Sequence, residues 1–176
     1  KIVMRNIFKY IIVIATISIT SNSCWAEEIN VVASFSILGD MVGRVAGDRA
    51  NVTVIVGPDS DAHLYAPNAG DAVAVSEADL IFINGMGFET WSAALIETSG
   101  TEATIAIATQ GIEPLLVEGE VDPHAWNSLI NGISYVTNIE AALSAISPSN
   151  ASICQENAEW FRGELKTRHH RALDGR

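Results

Sequence analysis

Apolar residues along this chain fall into two alternating kinds of run. Short continuous runs at residues 29–34, 52–56, 80–83 and 103–108 are rich in Val, Ile, Leu and Ala. Such runs predict strands buried on both faces. Between them, apolar positions return at intervals of three and four. Residues 35–46 place Ile37, Leu38, Met41, Val42 and Val45 on one helical face, and Gly47 follows as a stop. Residues 68–78 and 89–98 predict two more helices, and residues 115–117 a short extended piece. Residues 123–146 carry Trp126, Leu129, Ile130, Ile133, Val136, Ile139 and Leu143 at helical period. Ser147-Pro148-Ser149-Asn150 breaks that pattern, and a further helix is expected to start there. Trp91 and Trp126 read as core aromatics on helix faces. The alternation predicts an α/β fold, a parallel sheet flanked by helices on both faces. No tandem repeat or low-complexity segment interrupts it.

The first residues follow a different rule. Lys1, Arg5 and Lys9 form a basic start without an acidic residue, and residues 10–19 are apolar. Ser23-Cys24-Trp25-Ala26 then offers small residues for cleavage after Ala26. Residues 1–26 therefore read as a signal peptide, and the protein as exported to the periplasm. A lipid anchor on Cys24 is the rival, although Ser21 stands where such signals usually carry Leu.

Composition narrows the function. The formal charge is −11; the three basic residues of the first 26 leave −14 on the remainder. So acidic a body disfavours nucleic acid, whose phosphates need Lys and Arg partners. It attracts cations at long range without identifying them as the ligand. Removal of Cys24 would leave Cys154 alone, so no disulfide is expected.

Candidate chemistry gathers after the second strand, in Gly57-Pro58-Asp59-Ser60-Asp61-Ala62-His63-Leu64-Tyr65-Ala66-Pro67. Loops past the carboxyl ends of parallel strands are where α/β folds place ligands, and the prolines argue for a rigid loop. Its centre, Asp61-Ala62-His63, returns as Asp122-Pro123-His124, and only four histidines exist in the chain. Asp122 as an N-cap and Pro123 at the first helical position would put His124 at a helix N-terminus. There the helix dipole disfavours imidazolium and keeps the ring available to a metal. His63 and His124 are thus expected to be two ligands of one Zn or Mn site. The bland alternative is that each histidine hydrogen-bonds inside its own loop. Gly85-Met86-Gly87-Phe88-Glu89-Thr90 sits where a dinucleotide fingerprint would lie. Thr90 replaces the third glycine and no acidic residue ends the next strand, so a tight strand-to-helix turn is the reading taken. Nucleophile-elbow and P-loop motifs are lacking.

These segments, in this order, resemble the periplasmic zinc- and manganese-binding proteins of ABC transporters, the cluster A-I solute-binding family. The likeness rests on residues 31–37, Asp61-Ala62-His63-Leu64-Tyr65-Ala66-Pro67, residues 76–85 and Asp122-Pro123-His124-Ala125-Trp126. It covers roughly residues 29–161 and implies one lobe of a two-lobed protein, with residues 27–147 as the amino-terminal metal-binding lobe. Residues 148–176 then resemble the start of the linking helix. It further implies His63 and His124 as the first two ligands, a divalent Zn or Mn cargo, and delivery to a membrane permease. The family's third and fourth ligands, from a second lobe, have no counterpart in this sequence. The His-rich loop of zinc-specific members is also missing, which leans towards manganese or a non-specialised zinc binder.

Basic residues crowd the tail as Arg162, Lys166, Arg168, Arg171 and Arg176, whereas only Arg44 and Arg49 are basic between residues 27 and 161. A truncated or frameshifted gene would produce that change, as would an exposed helix, since Ala158, Phe161, Leu165 and Ala172 keep roughly helical spacing. His169-His170 offers a further source of metal donors. Three functions remain: an exported metal-capturing module, a degenerate fragment without transport, and, ranked last, a metal-dependent hydrolase.

Overall fold

The computed structural model describes residues 28–175. The expected signal peptide and Cys24 lie outside the described residues.

Four parallel strands form the main sheet: β1 (Ile29–Phe35), β2 (Ala50–Val56), β3 (Leu80–Ile83) and β4 (Thr104–Ile107), in spatial order β2-β1-β3-β4. Val31, Val32, Ala33 and Phe35 of β1 and Leu80, Ile81 and Phe82 of β3 are all buried. The two central strands are therefore apolar on both faces, as their unbroken runs predict. β2 and β4 are edges, and Val54, Ile105 and Ile107 on them stay partly exposed.

Helix α1 (Ser36–Ala46) buries Leu38, Met41, Val42 and Val45, and Gly47 at φ 57° stops it. Helices α2 (Ala69–Ser76) and α3 (Ser92–Ser99) pack against each other. Right-handed crossovers put this pair on the face opposite α1. Helix α4 (Leu129–Ile146) returns to α1 and buries Tyr135, Val136, Ile139 and Leu143. Because β1 connects outward to β2 while β3 lies on its other side, the order of the sheet reverses between β1 and β3. Ligand clefts in open parallel sheets form above such a point, at the carboxyl ends.

The basic tail is a single helix, α5 (Ala151–Asp174). Cys154, Ala158, Phe161 and Leu165 make a buried stripe against α4 and α1. Arg44 lies 5.3 Å above the Phe161 ring, and Arg162 pairs with Glu140 of α4 at 2.5 Å. The tail is thus docked along one face rather than exposed all round, although Ala172 is exposed.

One element was not foreseen from sequence. The extended piece at β5 (Leu115–Val117) is the first half of an antiparallel hairpin whose second strand is β6 (Glu120–Asp122). Glu118 and Gly119 turn it, both at positive φ (55° and 89°), as a two-residue type I′ loop demands.

Candidate metal centre

The His63 arm is built by its neighbours in the 57–67 loop. Asp61 Oδ1 accepts the His63 backbone N–H at 2.9 Å, a local turn that aspartate favours. Ala62 is buried, and its carbonyl accepts the indole N–H of Trp91 at 2.7 Å. The Trp91 ring meets Tyr65 edge-on at 5.4 Å, and the Tyr65 hydroxyl donates to Asp71 at 2.9 Å. Asn68 and Asp71 cap α2 reciprocally, which fixes where the loop ends.

The His124 arm comes from the hairpin. β6 delivers Asp122, whose Oδ1 accepts the His124 N–H at 3.0 Å and lies 2.7 Å from ring Nδ1. These bonds, the backbone one first, hold the Asp122 carboxyl below its usual range. Pro123 is tied down by its carbonyl, which accepts the buried Asn84 amide at 2.9 Å.

Here the expected helix over residues 123–146 needs correction. His124 precedes a short 3-10 turn, Ala125–Asn127, and α4 begins at Leu129 with Ser128 as its N-cap. The Asp122 side chain turns back onto His124, and pairing of Asp122 with Leu115 keeps its backbone extended. His124 therefore stands ahead of a three-residue 3-10 turn rather than at the start of an α-helix. The Asp122 carboxylate orients the ring through Nδ1 instead, as second-layer acids do for metal-bound histidines.

The two arms converge. His63 Nε2 and His124 Nε2 stand 3.1 Å apart, with ring centroids at 5.2 Å. Two imidazoles on one tetrahedral zinc, bonded at about 2.0–2.1 Å, would hold their nitrogens roughly 3.3–3.4 Å apart, so the pair fits a shared ion. Asp122 draws a proton onto His124 Nδ1, which leaves Nε2 as a bare lone pair aimed at His63. A proton carried by His63 Nε2, or a shared cation, satisfies both atoms at that distance. Phe88, only 4 % exposed, forms the floor: it lies 4.5 Å from His63, 5.8 Å from His124 and 5.0 Å from Phe35. Trp126 closes the far side, 4.7 Å from Phe35 and 5.2 Å from His124.

Among the described residues, no group of three or more His, Cys, Asp or Glu side chains could hold a metal ion. His169 and His170 neighbour each other on α5, outside the group formed by His63 and His124. A cleft of about 270 Å³ opens beside Asp122 and His124, lined also by Glu113, Asn127 and Asn131. A wider depression of about 760 Å³ lies at the other end of the sheet, near Glu28, Glu77 and Asp79. Asp79 there is engaged by the Asn30 N–H at 2.8 Å.

Residues 31–174 match the family described as zinc-uptake complex component A, periplasmic. The chain belongs to that family. It is 36% identical to the manganese-binding lipoprotein MntA of Halalkalibacterium halodurans, over 88% of this chain and 55% of that protein. With the iron-binding protein YfeA of Yersinia pestis it shares 34%, over 90% of this chain and 52% of the relative. A manganese-bound periplasmic metal-binding protein from Candidatus Liberibacter asiaticus superposes with a TM-score of 0.75 at 35% identity, over 80% of this chain and 54% of that one. The chain spans about half the length of the curated relatives it matches. The family match runs through the basic tail to residue 174.

Sequence reasoning paired the two histidines that the fold brings together but misread their supports. Trp91 and Trp126 stand outside α3 and α4; they brace the His63 loop and wall the His124 ring. Glu89 was hidden inside the glycine-rich turn. Gly85 and Gly87 take positive φ as the tight-turn reading expects, and the Glu89 carboxylate accepts from Asn84 N, Gly85 N and the Ser34 hydroxyl.

Proposed function

We propose that this chain is a capture module for a divalent transition-metal cargo, Zn or Mn, held by His63 and His124 for import through an ABC permease. The observation that carries this reading is the 3.1 Å approach of two Nε2 atoms above the reversal point of the sheet, one of them preset by a carboxylate. Imidazole suits Zn and is accepted by Mn when carboxylates complete the shell. Two ligands make half a shell. The remaining donors come from outside the described residues, as they would from the second lobe of a two-lobed carrier whose linking helix begins with α5.

Relatives named as a manganese-binding lipoprotein, an iron-binding protein and a metal ABC transporter substrate-binding lipoprotein support a binding role over a hydrolytic one. Several are named lipoproteins, which favours a lipid anchor on Cys24 over cleavage after Ala26 and agrees with an extracytoplasmic setting. Mass analysis of the membrane-bound and free forms separates the two.

The test is a calorimetric titration with Zn²⁺ and with Mn²⁺, beside the His63→Ala/His124→Ala double variant. Binding tighter than about micromolar, lost in the variant, means this chain completes a working site. Weak binding that the variant still loses fits two ligands of a larger site. Equal binding by both proteins overturns the assignment of His63 and His124.

A further inference from the structure

Below the histidine pair lies a buried polar hub. Asn84 is wholly buried at the carboxyl end of β3. Its main-chain N–H donates to Glu89 at 2.6 Å, and its carbonyl accepts from the Thr109 hydroxyl at 2.6 Å and the Thr109 N–H at 3.2 Å. Its side chain is also committed. The amide nitrogen donates to the carbonyls of Gly85 at 3.1 Å and Pro123 at 2.9 Å, and the amide oxygen accepts the Tyr135 hydroxyl. Tyr135 is wholly buried in α4. Burial, with the Glu89 charge second, holds its hydroxyl well above the usual range, so it stays protonated and can only donate to the carbonyl oxygen. That fixes which end of the Asn84 amide faces Pro123.

We propose that Asn84, oriented by Tyr135, is a positioning residue that sets the spacing of the two metal ligands. Pro123 immediately precedes His124, so the Asn84 amide decides where the second imidazole starts. The same amide holds the Gly85 carbonyl, which also accepts the Phe88 N–H at 3.1 Å, and the Phe88 ring floors both histidines. One buried side chain thereby references both arms to the end of β3. Neither Asn84 nor Tyr135 is hydrogen-bonded to an imidazole, so their effect on a metal would pass through placement. The consequence for affinity rests on the metal-capture reading, whereas the placement itself does not.

Tyr135→Phe removes one oxygen and leaves the Asn84 amide oxygen without its donor. Thr109→Val is the matched control, since it breaks a bond to the Asn84 main-chain carbonyl and leaves the side-chain amide's partners in place. Two readouts are taken on the full chain: imidazole ¹⁵N resonances without metal, and Zn²⁺ affinity. In Tyr135→Phe the His124 resonances should shift or broaden, and affinity should fall about tenfold, the lower end for losing an outer-layer partner. Thr109→Val should lower the melting temperature similarly and change neither. Unaltered His124 resonances in Tyr135→Phe, or equal changes in Thr109→Val, overturn the inference. Absence of Zn²⁺ binding in the unsubstituted chain would sink the metal reading, and the resonance comparison would still decide the placement. Asn84→Ala, if it folds, should exceed Tyr135→Phe in both readouts.

Discussion

Asp61-Ala62-His63 and Asp122-Pro123-His124 make the same backbone turn, with the aspartate Oδ1 accepting the histidine N–H at 2.9 Å in one and 3.0 Å in the other. They part at the ring. Asp122 also reaches His124 Nδ1 at 2.7 Å, so that imidazole is held in the tautomer a metal on Nε2 requires. His63 has no such carboxylate contact among the described residues, and its ring rests against Phe88 at 4.5 Å instead. One arm is preset by charge and the other is held by packing and by its loop. The lesson is that a repeated motif guarantees a repeated turn, while the ring's chemistry depends on the element that delivers it. A strand end delivers His124, and an 11-residue loop carries His63.

The strongest way to break this comparison is to remove each ring in turn. With Zn²⁺ at about a hundred times the dissociation constant, binding stabilises the folded chain by about 2.7 kcal/mol, a melting shift of roughly 5–10 °C for a domain of this size. His63→Ala and His124→Ala should each abolish that shift in a thermal melt. If His63→Ala kept it, the preset arm would suffice alone and His63 would not be a ligand.

Next in size is the asymmetry of the acids. Asp122→Asn preserves an acceptor for the His124 N–H but loses the carboxylate on Nδ1, and should weaken Zn²⁺ binding about 10–100-fold. Asp61→Asn preserves the only bond Asp61 makes to His63, and should cost less than about threefold. Equal losses in competition titrations would show that the two arms are equivalent and that the Nδ1 contact is incidental.

How much of this was legible in the sequence follows from where the information lies. The strands were plain because β1 and β3 are buried on both faces, so every residue reports the same environment. His63 and His124 could be paired from sequence because Asp-x-His is local and repeated. The start of α4 was misplaced because Asp122-Pro123 also makes a good helix beginning, and only pairing with Leu115 decides otherwise. Ser128, with its hydroxyl on Asn131 N, was the better N-cap and could have been seen. The jobs of Trp91, Phe88, Asn84 and Tyr135 were not legible. Each depends on a partner between 29 and 51 residues away, as with Trp91 to Ala62 and Tyr135 to Asn84.

A smaller effect sharpens the His63 side. Trp91→Phe keeps most of the ring but loses the 2.7 Å bond to the Ala62 carbonyl. About 1 kcal/mol of stability should go with it. Hydrogen exchange should quicken in residues 57–67 and not at the β5–β6 hairpin. Equal quickening in both would mean that the arms share one anchor.

The least effect is expected from acid acting on the metal-free chain, and its sign follows from Asp122. The folded protein holds this carboxyl below its ordinary value, mainly through the His124 backbone N–H and then through the ring. A depressed folded value means that the contribution is complete above the unfolded value, about 4, and is lost as pH falls through the folded one. Asp122 is 31% exposed, so solvent screens the contribution and keeps it small. Asp122→Asn cannot ionise and lacks that dependence. The stability gap between the two proteins, read from urea midpoints, should therefore be widest near about pH 6 and narrow towards about pH 3. A constant gap would mean that the His124 arm is held by geometry alone, as the His63 arm is, and the contrast between them would lie only in what each presents to a metal.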